Sequence, residues 1–600
     1  MINFKEKANL IWQVADLLRG DYKQSDYGKV ILPLTVLRRL DCVLKPTKQK
    51  VLDFLPKIKD KSDSAKDLIL NNKAGHNFHN RSKFDFEKLK DEPDKVAANL
   101  RNFINGFSVS AREIIEYFNF DDQIEKMDNP ESDILFLVVQ EFADIDLADM
   151  DSMEMGYVFE ELIRRFAEQS NETAGEHFTP REVIKLMVNL LFIADNKTLT
   201  KEGIVKTLYD PACGTGGMLS VGEKHLNDFN KKAKLEVFGQ EINPESYAIC
   251  KSDMLIKGQN PSNIKFGNTF TVDGLEDEQF DYMLSNPPFG VDWKKAQKII
   301  KAESENKGHS GRFGAGLPRI NDGSLLFLQH MISKMKPSGT RIGIVFNGSP
   351  LFTGQAGSGE SNIRQWIIEN DMLETIIAMP DQLFYNTGIA TYVWILNNKK
   401  SKERKGKIQL INATGAKDDE LIEEGKRNFN RFYQKMTKSL GNKRKQIIEN
   451  GEEKGIGFIT KLYGNFEENE FVKIYPNKFF GYQRVTVEQP LLMDNGEFKI
   501  DNKGNPKTDT TKRDYENIPF LKLDKSKKLV PQTIEEYLER EVKPHLPDAW
   551  IDESKTKIGY EINFAKYFYE FKPLRSLDEI KNDILALERS SFELEKTVLK

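Results

Sequence analysis

The sequence predicts an α/β protein built on a seven-stranded, mostly parallel sheet, with a helical domain before it and a C-terminal region that ends in a long helix. Three observations carry this prediction: apolar residues at helical spacing in the first part of the chain, short apolar runs that alternate with amphipathic helices from residue 205 onward, and a heptad-like pattern at the C-terminus. Buried strands alternating with helices are typical of parallel sheets. The 600 residues exceed what one core usually supports, so we expect roughly two to four domains.

The composition fits a globular chain in a reducing compartment. Hydrophobic residues make up 39% of the chain and charged residues 30%, which excludes both a membrane bundle and a mostly disordered chain. Uninterrupted apolar runs fall far short of the roughly 18 residues that a membrane-spanning helix needs. The N-terminus also lacks the pattern of a signal peptide. We therefore expect a cytoplasmic protein with no membrane partner.

Cysteine content bears on disulfides and metal sites, and net charge bears on nucleic-acid binding. The three cysteines show no CxxC spacing, so we expect neither a disulfide framework nor a metal site. The 88 basic and 92 acidic residues give a formal net charge of −4, which by itself favours no nucleic-acid partner. If the chain binds DNA, we expect local patches or the help of a partner.

Residues 1–168 are predicted to form the helical N-terminal domain. Leu10, Val14 and Leu17 recur at helical spacing, and the apolar stretch 134–142 is typical of another buried element. No convincing alternation of apolar and polar residues, which would indicate strands, interrupts this region.

A second domain is predicted over 169–484. Its first helix should begin at Pro180, with Thr179 as the capping residue. The lysine-rich segment 399–407 is expected to be an exposed hairpin tip. The seven apolar runs that supply the predicted strands are 205–209, 235–238, 264–266, 282–284, 342–346, 375–379 and 392–396.

The third predicted region covers 485–600. Ser576 and Glu579 form a capping box at the start of its last helix. Apolar residues then follow at alternating spacings of three and four, which predicts a coiled-coil-like helix for subunit docking. Packing of this helix on its own domain is the alternative that the pattern leaves open. The apolar positions are Leu577, Ile580, Ile584, Leu587, Leu594 and Val598.

A glycine-rich turn follows the first predicted strand. It reads Asp210-Pro211-Ala212-Cys213-Gly214-Thr215-Gly216-Gly217. Glycines let the backbone approach a ligand closely, and the helix that follows offers free N–H groups. No Gly-Lys-Ser/Thr follows, so the turn is not a Walker P-loop. Glu241 ends the second strand, where doubly wound folds hold ribose hydroxyls, so the two features together predict a nucleoside site.

The fourth predicted strand ends in Asn286-Pro287-Pro288-Phe289. The two prolines restrict the backbone so that neighbouring carbonyl groups point into the crevice instead of joining a ladder. The Asn286 side-chain oxygen and the Pro287 carbonyl oxygen can then accept both protons of an amino group, while Phe289 stacks on a planar base. A rigid surface turn is the alternative interpretation of this motif when it stands alone.

The glycine turn 210–217 together with 286–289 resembles S-adenosylmethionine-dependent amino-methyltransferases of the N6-adenine DNA class, and more narrowly the modification subunits of type I restriction-modification systems. The likeness extends to 176–181, 383–391 and 561–569, and so to nearly the whole chain. It implies a Rossmann-like methyltransferase core that transfers a methyl group from S-adenosyl-L-methionine to N6 of an adenine flipped out of double-stranded DNA. It also implies a specificity subunit, a second copy of this chain, and a restriction subunit in the nuclease form.

The resemblance further implies roles for individual residues. Asn286, Pro287, Pro288 and Phe289 would grip the target adenine, and Glu241 would hold the cofactor's ribose. Asn268 stands at the third strand end, where related enzymes commonly carry an acid that reads the cofactor's adenine. The residues implied to lie around the methionine part of the cofactor or in the glycine turn are Glu176, His177, Phe178, Thr179, Pro180, Arg181, Asp210, Gly214, Thr215, Gly216 and Gly217.

Other interpretations stay open at this point. The Asn-Pro-Pro motif also suits cytosine N4 or a protein glutamine as the methyl acceptor, and a scaffold that has lost turnover would keep the same fold. The segment 293–319 follows directly after the motif and carries Lys294, Lys295, Lys298, Lys301, Lys307 and Arg312. We expect it to be a mobile loop that closes on DNA, and a solvated insertion is the alternative.

Overall fold

The structure is a computed structural model that describes residues 4–129, 131–170, 179–195, 199–385, 387–502, 504–570 and 575–598. The chain forms two compact units, Met1–Ile562 and Asn563–Lys600. No helix in the described ranges is both long and apolar enough to cross a membrane. The domain boundaries expected after residues 168 and 484 stay predictions.

The N-terminal part is helical, as predicted. Ile11 and Val14 are buried on α1, and Ile134 and Val138 are buried on α9, which covers the apolar stretch 134–142. Arg38 on α2 bonds to the end of α9, because its guanidinium donates to the carbonyl oxygens of Ala143 and Ile145 at 2.8 and 2.7 Å. The helices are α1 (Phe4–Leu17), α2 (Gly28–Leu44), α3 (Lys48–Phe54), α4 (Asp63–Ala74), α5 (Phe86–Leu89), α6 (Val96–Asn105), α7 (Val109–Glu116), α8 (Phe120–Met127), α9 (Ile134–Asp144) and α10 (Ser152–Ser170).

A nine-stranded sheet forms the centre of the first unit, in the order β11-β8-β6-β7-β5-β4-β1-β2-β3. β7 runs antiparallel to β5 and β6, and β11 runs antiparallel to β8, while the other neighbouring pairs are parallel. All seven predicted strands are present, and two more extend one edge. The strands are β1 (Val205–Asp210), β2 (Lys234–Glu241), β3 (Ile264–Phe266), β4 (Tyr282–Ser285), β5 (Arg341–Phe346), β6 (Leu373–Ala378), β7 (Tyr392–Asn397), β8 (Lys407–Asn412) and β11 (Val472–Pro476).

Helices pack against this sheet. The first of them starts at Arg181, because Pro180 takes the capping position with an extended backbone (φ −55°, ψ 138°), one residue later than predicted and without a side-chain cap from Thr179. The helices are α11 (Arg181–Phe192), α12 (Gly217–Phe229), α13 (Pro244–Ile256), α14 (Gln297–Lys307), α15 (Ser324–Ser333), α16 (Ser349–Phe352), α17 (Gly359–Glu369), α18 (Ala416–Glu423) and α19 (Gly455–Asn465).

The prediction of an exposed hairpin tip at 399–407 is wrong as to the hairpin and right for the exposure of Lys399, Lys402, Lys405 and Lys407. Lys400 and Arg404 are buried, at 5% and 9% exposure. The Lys400 ammonium group donates to Asp371 Oδ1 at 2.7 Å and to the Lys407 carbonyl oxygen at 2.9 Å. β8 pairs in parallel with β6 and does not form a hairpin with β7, so the segment connects two strands that lie on either side of β6.

The segment 293–319 is a packed element built around a helix, which contradicts the expectation of a mobile loop. Its centre is α14, and Ile300 on that helix is buried in one apolar cluster with Trp293 and Phe313. Arg312 faces inward, where it pairs with Glu303 and donates to the carbonyl oxygens at 269 and 270 at 2.8 and 3.0 Å. Apolar residues between the lysines explain the difference, since they supply the segment with a small core of its own.

Smaller sheets complete the first unit. β12 lies between β13 and β16 in an antiparallel sheet, and β9 and β10 form a hairpin. The remaining elements are β9 (Tyr433–Leu440), β10 (Lys443–Ile447), β12 (Gly481–Glu488), β13 (Asp514–Pro519), β14 (Leu521–Leu523), β15 (Leu529–Pro531), α20 (Ile534–Tyr537) and β16 (Trp550–Tyr560).

The second unit consists of α21 (Phe564–Phe568) and α22 (Leu577–Val598). The predicted capping box is confirmed: Glu579 N–H donates to Ser576 Oγ at 3.2 Å, and Ser576 N–H donates to Glu579 Oε2 at 2.9 Å. The heptad-like positions Leu577, Leu587 and Leu594 are exposed, at 85%, 70% and 67%. Their role in subunit docking stays a prediction.

Candidate functional site

A cavity of about 480 Å³ opens at the carboxyl ends of β1, β2 and β4. This is where parallel α/β sheets bind ligands, and the volume lies within the range of small-molecule sites. Several sequence-predicted site residues line it together. They are Thr179, Asp210, Gly214, Thr215, Gly217, Glu241, Asn268, Asn286 and Pro288.

The glycine turn is held in a backbone shape that requires glycine. Gly214 and Gly216 have φ angles of 52° and 84°, in the left-handed region. A Cβ on Gly216 would lie 2.8 Å from the Cys250 sulfur, so no larger residue fits there without a shift. Gly216 also caps α12, so the amide groups at the start of that helix face the cavity region through Gly217.

The Glu241 carboxylate is fixed at the tip of β2. Its Oε2 accepts from Gly214 N–H at 2.7 Å, and its Oε1 accepts from Ile242 and Asn243 N–H, each at 2.8 Å. Burial raises the pKa of this carboxyl, and the three backbone donors counteract that rise. A carboxylate offers about four acceptor sites, so about one is left to accept from a ligand hydroxyl.

Asp210 connects the glycine turn to the Asn-Pro-Pro-Phe motif. It is 2% exposed, and its Oδ1 accepts from Ala212 N–H at 3.0 Å and from Ser285 Oγ–H at 2.9 Å. Burial raises the pKa of Asp210 to about 7, with a further contribution from the nearby Glu241. Ser285 was not predicted as a site residue, because its position beside Asp210 follows only from the adjacency of β1 and β4.

The Asn-Pro-Pro-Phe motif borders the cavity through Asn286 and Pro288. The Phe289 ring packs edge-on against the Phe384 ring, with 6.2 Å between centroids and a 72° angle between planes. Phe384 belongs to the segment 383–391 and is buried. The hairpin β9–β10 contacts that segment, since Asn442 N–H donates to the Tyr385 carbonyl oxygen at 2.8 Å.

The segment 176–181 is only partly described. Glu176, His177 and Phe178 lie outside the described residues. Arg181 is buried, donates to the Gly217 carbonyl oxygen at 3.2 Å and pairs with Glu160 at 2.5 Å. Arg181 does not line the cavity, and Pro180 and Gly216 do not line it either. Arg181 therefore stands behind the cavity and fixes the start of α12.

Glu160 is a cavity residue that the sequence did not suggest. It lies on α10, lines the cavity and is 7% exposed. Burial raises the pKa of its carboxyl, and the Arg181 guanidinium lowers it in part. No motif marks Glu160, because its pairing with Arg181 joins two helices that are separated by the segment around 176.

The third strand end supplies another wall. Asn268 lines the cavity, and its Oδ1 accepts from Phe270 N–H at 2.9 Å. Thr269 Oγ1 donates to the Pro211 carbonyl oxygen at 2.7 Å, which ties this wall to the glycine turn.

The chemistry of the lining fits a nucleoside with a charged tail. Phe270, Phe327 and Ile242 offer apolar surface for a planar ring, Glu241 offers an acceptor for ribose hydroxyls, and the start of α12 offers backbone donors. The Asn286 amide stands across the same space. The cavity therefore suits a cofactor of this type beside a second, amino-bearing substrate.

Two family models match the chain. The one described as N-6 DNA Methylase matches residues 150–454. The one described as HsdM N-terminal domain matches residues 7–142. The two matched ranges cover the cavity and the helical N-terminal part, respectively.

Curated relatives and solved structures agree with these matches. The chain is 27% identical over 425 residues to the type I restriction enzyme MjaIX methylase subunit of Methanocaldococcus jannaschii, covering 68% of this chain and 72% of the relative. It is 30% identical to the HindI methylase subunit of Haemophilus influenzae, over 43% of this chain and about half (54%) of the relative. The fold resembles a type I restriction-modification methyltransferase subunit from Streptococcus thermophilus, with a TM-score of 0.59 and 22% identity over 80% of this chain and 97% of that one.

Proposed function

The chain belongs to the N-6 DNA methylase family, and from that membership we propose that it transfers the methyl group of S-adenosylmethionine to N6 of adenine in DNA, as the modification subunit of a type I restriction-modification complex. One observation carries the proposal: the glycine turn, Glu241 and Asn286 line a single cavity at the carboxyl end of the sheet. Membership of an N-6 DNA methylase family does not favour cytosine N4 or protein glutamine as the acceptor.

The cofactor side of the cavity is assigned to the residues around the glycine turn. S-adenosylmethionine supplies an electrophilic methyl group on a sulfonium ion. In our proposal, Gly214 to Gly217 and Thr179 surround its methionine part, with Glu176, His177 and Phe178 in the same role. Glu241 accepts from the ribose, and Asn268 with Phe270 borders the adenine ring. Arg181 and Glu160 hold the start of α12 in place behind it.

The substrate side is assigned to the Asn-Pro-Pro-Phe motif. Asn286 Oδ1 and the Pro287 carbonyl oxygen accept the two N6 protons, which directs the nitrogen lone pair toward the methyl group. Pro288 shapes the turn, and Phe289 stacks on the flipped base. Extruding that base costs a few kcal/mol of stacking and pairing. Catalysis then rests on positioning and on fixed dipoles rather than on a strong base.

Partners follow from the type I relatives. We propose a separate specificity subunit that selects the DNA sequence, a second copy of this chain, and a restriction subunit in the nuclease complex. The exposed apolar positions of α22 are our candidate for the docking contact. We place the protein in the cytoplasm, where the DNA substrate of such a complex lies.

Transfer of labelled methyl groups to DNA tests the proposal. The full chain, with and without a co-purified specificity subunit, is incubated with S-adenosylmethionine and genomic DNA, and the modified base is identified. We expect label on adenine N6 that needs the partner and disappears in Asn286→Ala. The control Asn105→Ala alters an exposed asparagine at the end of α6 and should retain activity. Label on cytosine N4 or on protein, or no label despite cofactor binding, would overturn the proposal.

A further inference from the structure

A row of lysines borders the mouth of the cavity. Lys294, Lys295, Lys298 and Lys301, which we call the basic ledge, lie in the single turn before α14 and in its first half. All four are exposed, and Lys295 also lines the cavity. Spacings of four and three place Lys294, Lys298 and Lys301 on one side of the helical segment.

The lysines of the basic ledge are not held in ion pairs within the part of the chain that the structure describes. None of the four lysines forms an ion pair with any residue in the described ranges. The stretch 293–302 contains no acidic residue. The next acid along the chain, Glu303, is turned inward and paired with Arg312. Exposed carboxylates flank the basic ledge at Asp292, whose Oδ1 accepts from Lys294 N–H at 3.0 Å, and at Glu305, and the four lysine charges face solvent between them.

The backbone under the basic ledge is fixed in place. Ile300 is fully buried, and Trp293 is 3% exposed. Trp293 Nε1–H donates to the Arg319 carbonyl oxygen at 3.0 Å, and Trp293 N–H donates to the Ile320 carbonyl oxygen at the same distance. Arg312 anchors the far side through Glu303. The lysines thus stand on a preformed support, which reduces the ordering cost of a contact through them.

We propose that the basic ledge binds consecutive phosphates of one DNA strand next to the adenine that enters the cavity. From residue 294 to residue 301 a helical segment rises roughly 10 Å, which equals the rise of about three phosphates of one strand along the DNA helix axis, at about 3.4 Å each. Continuity with the cavity through Lys295 favours the substrate's own backbone over an unrelated acidic partner. This inference rests on the proposed function, because it assigns a surface to the same DNA.

Salt-dependent DNA binding separates this role from that of an ordinary solvated helix face. The test variant is Lys294→Gln/Lys298→Gln/Lys301→Gln in the full chain with its specificity subunit. Lys295 is left unchanged because it lines the cavity. Binding of a duplex that contains the methylation site is measured from about 50 to about 200 mM salt, and each lost phosphate contact should lower the slope of log K against log salt by about 0.9. We expect the slope to become shallower by about 2 to 3.

A control with the same change in charge lies near the amino ends of the strands, opposite the cavity. Lys231→Gln/Lys232→Gln/Lys234→Gln removes the same three charges beside the start of β2, whereas the cavity lies at the end of that strand. This variant should keep the wild-type slope. Both variants should keep the wild-type unfolding temperature and affinity for S-adenosylmethionine.

The outcomes distinguish the basic ledge from the proposed function. If the wild-type complex methylates DNA while the ledge variant keeps the wild-type salt slope, the inference is overturned and the proposed function stands. If the ledge variant loses affinity for S-adenosylmethionine, the lysines act through the cavity and the phosphate role is also overturned. If the wild-type complex binds the cofactor but neither binds nor methylates DNA, the proposed function fails and the inference fails with it.

Discussion

Ser285 Oγ donates a hydrogen bond to Asp210 Oδ1 at 2.9 Å, and this bond joins the ends of β4 and β1 at the floor of the cavity. Asp210 begins the glycine turn, and Ser285 directly precedes Asn286. One buried bond therefore sets the distance between the proposed cofactor side and the proposed substrate side. A change in it should alter the reaction without removing any group that touches a substrate.

Replacing Ser285 with alanine should slow methyl transfer more than it weakens cofactor binding. The change takes a donor from a buried carboxyl group, which costs about 1 to 3 kcal/mol of stability. Denaturant unfolding, cofactor titration and single-turnover methylation measure the three effects. Ser333→Ala removes a hydroxyl that bonds a carbonyl within α15 and should leave methylation unchanged. Equal losses in the two variants would argue against a positioning role for Ser285.

Asp210 should make the folding stability depend on pH. The pKa of its carboxyl is about 7 in the folded chain and near the ordinary 3.8 when unfolded. The protonated form is therefore favoured by folding, so its stabilising contribution is complete below about pH 4 and is lost as the pH rises through 7. The loss amounts to roughly 3 to 5 kcal/mol.

Asp210→Asn should abolish that part of the pH dependence. Its amide oxygen can still accept from Ser285 and Ala212, and it carries no proton to lose. The free energy of unfolding, measured from pH 4 to pH 8, should fall for the wild type relative to this variant. Asp277→Asn alters an exposed carboxyl group and should follow the wild-type curve. Parallel curves for wild type and Asp210→Asn would contradict the prediction.

Glu241→Gln should weaken the binding of S-adenosylmethionine. Both carboxylate oxygens accept hydrogen bonds, from three backbone N–H groups in total. A glutamine side chain has only one oxygen that can accept them. A hydrogen bond to a charged group is worth about 1.5 to 3 kcal/mol, so affinity should fall about 10- to 100-fold. Calorimetric titration measures it. Glu236→Gln, on the same strand and paired with Lys234, should bind as the wild type does. Unchanged affinity in Glu241→Gln would exclude a role for this carboxylate in binding the cofactor.

Arg181→Met should destabilise the chain strongly. It leaves Glu160 buried without its cation, and breaking a buried ion pair on one side costs about 3 to 5 kcal/mol. Arg181→Met/Glu160→Gln should recover much of that loss, because no uncompensated charge is left. Denaturant unfolding compares the two variants. A double variant no more stable than the single one would show that Arg181 acts mainly through the Gly217 carbonyl oxygen.

The sheet was largely predictable from short apolar runs, and its extra strands were not. All seven predicted strands are present because most of their residues are buried, which demands largely apolar sequence, and β4, β5 and β6 are buried along their whole length. β11 at the sheet edge and β8 beside it interleave charged or polar residues with apolar ones. The buried Lys400 and Arg404 misled the prediction for 399–407, since their charges are compensated by partners distant in sequence.

The candidate site was predictable where a motif follows a strand. The glycine turn, Glu241 and Asn286 were found because parallel strands bring their carboxyl ends to one edge. Ser285 and Glu160 were not found, since their roles depend on which strand lies beside which and on an ion pair between α10 and α11. The roles of all these residues in binding and catalysis stay predictions.

Glu160 has a consequence for how the chain can be divided. Glu160 lines the cavity from α10, which precedes the sheet and every sequence motif along the chain. A fragment that starts at Thr179 would keep all strands and every described residue of the predicted site, yet it would have a gap in the cavity wall and a buried guanidinium with no counter-ion. The candidate site is therefore not complete without α10, and a truncated or grafted version has to include that helix.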